Sequence, residues 1–338
     1  MYLEERVPEY LEDLKTKYFC DESDLDFATI NKNKKKIMRK GGGKRISKEM
    51  NEYIDLDYIK KDGLIDEQEE TNLEFARESN LIEGIEDIET VAFLEDDETE
   101  ISHQYQQKQT HADLIPKEMA KMSVMGCVVL ATNPRLGVMK FTTNHLQALK
   151  YVLTEARNSQ LKKRKSGEFK PLTHDLITTA NEMVLPGDYE VESFYRNEYT
   201  FGSCFVTGAK WTPVSNPKVP AKMEALVRWF NEEKDLNPIV KAAILHCEFI
   251  AIHPFVDGNG RTARLLMNYE LARHNLPTIV VKAKNKKSYL NALEKGIVTG
   301  DVTDVAKMIE TRVLESQEKQ LSEIEKFQNA QKKNVEKT

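Results

Sequence analysis

Apolar positions recur at helical intervals along most of this chain. Val219, Met223, Leu226 and Phe230 stand at i, i+4, i+7 and i+11, the stripe of a core-facing helix, with Trp229 packed beside them. Asn237 suits the N-cap and Pro238 the first turn of a following helix over 239–250. A further helical run covers 265–274, offers Leu265, Leu266, Tyr269 and Leu271 to a core, and ends before Pro277. Upstream, Leu73, Phe75, Ala76, Leu81 and Ile82 mark a helix over about 66–84, with Gly84 as its stop. Shorter helices are expected around 4–18, 144–156 and 172–183, and the Met-, Val- and Leu-rich 115–131 reads as buried before a turn at Asn133-Pro134. Residues 195–220 break the helical period. Aromatic and β-branched residues interrupted by Gly202, Gly208, Pro213 and Pro217 predict a short hairpin and loop there. From Val305 a charged tail carries a thin stripe of Leu314, Leu321, Ile324 and Phe327, suited to docking on the body or to pairing with a second copy as a homo-oligomer.

Composition narrows the class. In 338 residues, 40% hydrophobic and 31% charged, there is room for one large domain or two modest ones with a substantial core. The net charge of −6 gives no global attraction to nucleic acid or anionic membrane. The segment 31–45 runs against that balance with eight basic residues and three consecutive glycines, and reads as a flexible linker. It is no P-loop, because Arg45 stands where Ser or Thr is required. Residues 83–100 carry nine acidic side chains and read as a solvated face or loop. Cys20, Cys127, Cys204 and Cys247 are scattered without CxxC spacing, which argues against a zinc site and a disulfide framework. No apolar run of about 18 residues and no secretory h-region is found, so a cytoplasmic location is expected, export of an effector by another route staying open.

The chemistry gathers in His253-Pro254-Phe255-Val256-Asp257-Gly258-Asn259-Gly260-Arg261-Thr262-Ala263-Arg264. Gly258 and Gly260 allow positive φ and close approach of backbone to a ligand. The N–H groups opening the next helix, together with its dipole, favour an anion in the turn. Arg261 and Arg264, three apart, share one helix face where guanidinium forks can grip phosphate oxygens. Asp257 is a hard oxygen ligand suited to magnesium held mainly by substrate phosphates and water. His253 titrates near neutral pH and is the candidate base. His246, seven residues earlier, reads as a buried, hydrogen-bonded histidine.

This loop resembles the Fic signature, HPFx(D/E)GNGRxxR, at every specified position. The resemblance implies an all-α fold, a Fic-type helical bundle with a short β-hairpin flap beside the active site. It implies transfer of AMP from ATP, with Mg2+, to a Ser, Thr or Tyr hydroxyl of a target protein or of the chain itself. Carried over residue by residue, it makes His253 the base and Asp257 the metal ligand. Gly258, Asn259 and Gly260 would hold the α-phosphate, Arg261 the β-phosphate region and Arg264 the γ-phosphate. Tyr289 and Asn291, in a segment resembling the family's adenine wall, join the nucleotide site. The target's main chain would dock along the flap near 195–220. Ser79, Glu83 and Gly84 resemble the inhibitory motif (S/T)xxxE(G/N), in which Glu83 would compete with ATP for Arg264. The resemblance covers roughly 66–312, inhibitory helix included, and leaves 1–65 as an N-terminal extension and 313–338 as a C-terminal helix. Three alternatives stay open: removal of AMP, transfer of phosphate or another nucleotide moiety at the same site, and a non-enzymatic nucleic-acid-binding regulator acting through 31–45. Gly260 favours AMP, since phosphate-transferring relatives tend to carry Lys there.

Overall fold

The computed structural model describes residues 6–40, 65–83, 134–185, 194–200, 204–206 and 208–335. The described residues are mostly helical: α1 (Val7–Lys17), α2 (Phe27–Lys40), α3 (Ile65–Ile82), α4 (Pro134–Ser166), α5 (His174–Val184), α6 (Val219–Glu232), α7 (Pro238–Ile252), α8 (Asn259–Arg273), α9 (Lys286–Thr299) and α10 (Thr303–Val335). At the centre lies the pair α7 and α8, joined by the signature loop. Asn237 caps α7 by accepting from the Ile239 N–H at 3.0 Å, with Pro238 in the first turn, as the sequence predicts. Every residue from Ile239 to Ile252 is buried, so this helix needs no polar face. α4 and α5 cover α8 on one side, and α6 and α10 cover α7 on the other. The expected stripe of α6 is fully inside: Val219, Met223, Leu226, Trp229 and Phe230. Burying side chains of this size contributes roughly 1.5–3 kcal/mol each.

Polar residues inside this core hold the connections between helices. Asn268 on α8 accepts from the Ile279 N–H at 2.8 Å and donates to the Ile279 carbonyl at 3.2 Å, tying the chain that follows α8 back onto it. Asn231 pairs the same way with the backbone of Leu172. The N-terminal segment is stitched to the centre. Lys17 and the Tyr18 hydroxyl both donate to buried Glu248 of α7, at 2.5 and 2.7 Å. Phe19 exchanges backbone bonds with Gly300 and Val302. Gly300 is required there: its φ is +79°, and a Cβ would lie 2.1 Å from the Lys17 carbonyl oxygen.

Three expectations meet corrections. The basic stretch is no flexible linker up to Lys40, because α2 runs through it. Ile30 and Ile37 sit buried among the lysines, and Lys34 donates to the His274 carbonyl, so an apolar stripe beneath the charges docks the helix. α4 likewise continues through the basic 162–165 rather than stopping before it. The hairpin expected over 195–220 has no strand among its described residues, which are turn and coil up to a 3-10 turn at Asn216–Lys218. Residues 1–5, 41–64, 84–133, 186–193, 201–203, 207 and 336–338 lie outside the described part, and with them Gly84, the acidic 84–100 and the apolar 115–131. The C-terminal helix starts before residue 313 and docks at least in part: Gln317 donates to the Ile30 carbonyl at 3.1 Å and Leu321 is buried. Among the described residues no helix is long and apolar enough to cross a membrane.

Candidate active site

The loop between α7 and α8 is shaped by two left-handed residues. His253 ends α7 at φ +53°, ψ +58°, and Gly258 opens α8 at φ +79°. A left-handed conformation costs a non-glycine residue about 1–2 kcal/mol, so the surroundings must hold His253 in place. Gly258 is irreplaceable on two counts, since a Cβ would also lie 2.6 Å from the Asn181 amide nitrogen. That amide, from α5, donates to the Asp257 carbonyl at 3.0 Å and to the Thr262 hydroxyl at 3.1 Å and so braces the turn. Asn259 is buried, and its side chain pairs with both the N–H and the carbonyl of Phe255 at 2.8 Å. Its side-chain amide is therefore spent on bracing the loop. Asp257 points outward, with one oxygen 2.6 Å from the Gly258 N–H and the other 3.4 Å from Arg261.

Arg261 and Arg264 of α8 are buried. Arg261 donates to the Val184 carbonyl at 2.6 Å besides facing Asp257. Arg264 is gripped from α3: Nε donates to the Ser79 hydroxyl at 2.7 Å, and Nη2 to the Ser79 carbonyl at 2.9 Å and the Glu83 carboxylate at 2.7 Å. Gly260 leaves room for that carboxylate, because a Cβ would lie 2.2 Å from its oxygen. Burial alone would raise the Glu83 carboxyl, but the Arg264 charge and hydrogen bond outweigh it and the net shift is downward. Three further contacts dock α3. Glu78 accepts from the Ala283 N–H at 2.6 Å, Glu74 pairs with Lys282, and Phe75 meets the edge of the His145 ring at 5.2 Å. His145, fully buried on α4, also approaches Asn80 at 3.4 Å. Burial first, then the charges of Arg261 and Arg264, push it well below the ordinary histidine range.

His253 sits at the mouth of the turn beside the Trp211 ring, 6.3 Å between centroids. Burial and the Arg196 charge lower it to about 4, against smaller upward pulls from the Ile250 backbone, Glu83 and Asp257. It is therefore neutral, and able to accept a proton, across the physiological range. Tyr289 is buried, with its hydroxyl 2.8 Å from Nε2 of His246 and beside Arg264. Asn291, two residues on along α9, is exposed. The structure thus gathers His253, Asp257, Gly258, Gly260, Arg261, Arg264, Ser79, Glu83 and the Tyr289 hydroxyl around one turn. Arg196, Asn181 and His145 belong to the same neighbourhood and were not anticipated. Each is a single polar residue in a segment remote in sequence, carrying no local pattern that would single it out.

Residues 171–271 match the sequence model of the Fic/DOC family. Over those residues the chain is similar to that family, as its signature loop implied. Protein adenylyltransferase Fic of Nematostella vectensis is 32% identical over 203 residues, which is 57% of this chain and 42% of the relative. Protein adenylyltransferase fic-1 of Caenorhabditis elegans is 40% identical over 86 residues, 25% of this chain and 17% of the relative. The chain therefore spans less than half the length of these curated relatives. Among solved structures, a Fic-domain-containing signaling protein from Bacteroides thetaiotaomicron superposes with a TM-score of 0.55 at 24% identity, over 87% of this chain and 98% of that one. At that identity the likeness speaks for the fold.

Proposed function

We propose that this chain transfers AMP from ATP to a hydroxyl of a target protein, itself included, and that Glu83 restrains the reaction. The observation that carries this reading is the buried Arg264 fork, filled by Ser79 and Glu83 directly above Gly260, with His253 at the mouth of the same turn. The carboxylate on this buried guanidinium occupies the place a phosphate of ATP would take.

The chemistry follows from the residues present. The target hydroxyl oxygen attacks the α-phosphorus, the bond from that phosphorus to the bridging oxygen breaks, and pyrophosphate leaves. Neutral His253 takes the hydroxyl proton as the new bond forms. The Gly258–Gly260 backbone and the start of α8 orient the α-phosphate, and Arg264, once Glu83 withdraws, holds the terminal phosphate. Asp257 fits a magnesium ion, being one exposed carboxylate with free lone pairs where the remaining ligands come from phosphates and water. When bound, such an ion supplies charge neutralisation on the phosphates. The target's main chain lies along 195–220, a segment in which Tyr199 and Phe205 are exposed.

Intact-mass measurement of the chain with ATP and magnesium tests this, parent beside Glu83→Gly. A gain of AMP on the variant supports the reading, and no added mass on either protein rejects it. Parallel runs with α- and γ-labelled ATP separate AMP transfer from phosphate transfer. Incubation of the labelled product without ATP tests removal of AMP assisted by Glu83.

A further inference from the structure

One residue outside the signature holds the loop that carries the base. Arg196 is buried, and its contacts converge on three consecutive carbonyls. Its guanidinium donates to Ile252 at 3.1 Å and to His253 at 2.9 Å, and its own backbone N–H donates to Pro254 at 2.7 Å. The remaining donors reach the Val214 carbonyl at 3.1 Å and the Asn216 side chain. Among the described residues no carboxylate lies within ion-pair distance of it. Its charge is met by backbone carbonyls and the side-chain oxygen of Asn216, and it stands at His253, whose backbone is left-handed.

Resting on the adenylyl-transfer reading, we infer that Arg196 is the positioning residue of the base: its guanidinium fixes His253 in its left-handed conformation and couples that conformation to the 195–216 segment along which a target docks. A loosely held imidazole lies off the line from hydroxyl to α-phosphorus, and a misplacement of about 1 Å can cost on the order of a hundredfold in rate. The same guanidinium has an electrostatic effect. The groups facing His253 are Arg196 from this segment, Glu83 from α3, Asp257 from the loop, the Trp211 ring, and the Ile250 backbone of its own helix. Arg196 is the cation among them, so it opposes protonation of the ring while the two carboxylates favour it.

The test uses the full chain in the Glu83→Gly background, with Arg196→Lys, Arg196→Gln and, as a milder probe, Asn216→Ala. Arg196→Lys keeps the charge and loses the fork. It should lower kcat by about ten- to a hundredfold, leave KM for ATP within about threefold, and leave the acid limb of the pH profile in place. Arg196→Gln should lower kcat similarly and also move the acid limb to higher pH, because the base then protonates more readily. Asn216→Ala should give a smaller fall in kcat with KM unchanged. Titration of the His253 ring by NMR, assigned by its loss in His253→Ala, gives a readout independent of turnover: its midpoint should rise in Arg196→Gln and not in Arg196→Lys. Unchanged kcat and an unchanged His253 midpoint in Arg196→Gln overturn the inference. So does a variant in which ATP binding and thermal stability collapse together with activity, since that marks a merely structural role. If Glu83→Gly itself takes up no label, the adenylyl-transfer reading falls, and the NMR titration alone decides whether Arg196 governs the ring.

Discussion

Two buried guanidinium groups flank the same turn, and they are satisfied in opposite ways. Arg264 is met by Ser79 on α3 and by Glu83 just past its end, on a helix that reaches the core from elsewhere in the chain. Arg196 is met by neutral carbonyls of the very loop it supports. A charged pair can be exchanged for another anion of better geometry, because the incoming phosphate restores the charge that the carboxylate removes. A cage of carbonyls offers no such exchange, since nothing that binds in the turn substitutes for it. On the proposed reading, the Arg264 side changes partners and the Arg196 side stays put.

The largest effect tests the fixed side. His253→Ala should lower labelling by roughly a hundred- to ten-thousandfold while the melting temperature stays near that of the parent, measured with α-labelled ATP in the Glu83→Gly background. Next comes pH. Burial and Arg196 hold His253 at about 4, so activity should stay level down to that region and then fall about tenfold per unit as the base protonates. Stability should decline earlier. The unfolded chain takes up a proton at the ordinary histidine value of about 6.5, whereas buried His246 and His253 resist until about 4, so the melting temperature should drop as pH falls through that window.

The exchangeable side gives graded effects. Glu83→Gly removes a charge-assisted bond worth roughly 1.5–3 kcal/mol, so labelling should rise about ten- to a hundredfold. Ser79→Ala removes one acceptor of Arg264 and leaves the Ser79 carbonyl and Glu83, for a rise of about fivefold. Glu78→Ala loosens α3 at its far anchor on Ala283 and should raise labelling by only about two- to threefold. Equal effects from Glu78 and Glu83 would erase the distinction between a helix that competes for the phosphate site and one that merely packs near it.

The fixed and exchangeable sides were not equally legible. The glycine turn, the α7 cap and the α6 stripe could be read because each rests on local spacing and backbone freedom. The Glu83 assignment came from a resemblance, and its contact with Arg264 joins residues far apart in sequence. Asn259 was read as a phosphate ligand, yet its buried amide braces Phe255, a distinction that depends on which way one side chain turns. Arg196 and Asn181 were missed for a related reason: a lone arginine or asparagine becomes informative only when the fold brings distant carbonyls to it. In α2, lysine-rich composition masked Ile30 and Ile37, whose spacing carried the true signal.

The stitching of the N-terminal segment sets a lower limit on how far this chain can be trimmed. Glu248 lies on α7 only five positions before His253, and both of its partners, Lys17 and Tyr18, come from the first eighteen residues. A shortened protein beginning at residue 66 would strand that carboxylate in the interior, where loss of a partner costs roughly 3–5 kcal/mol. Poor yield of such a fragment would then report an orphaned acid within α7.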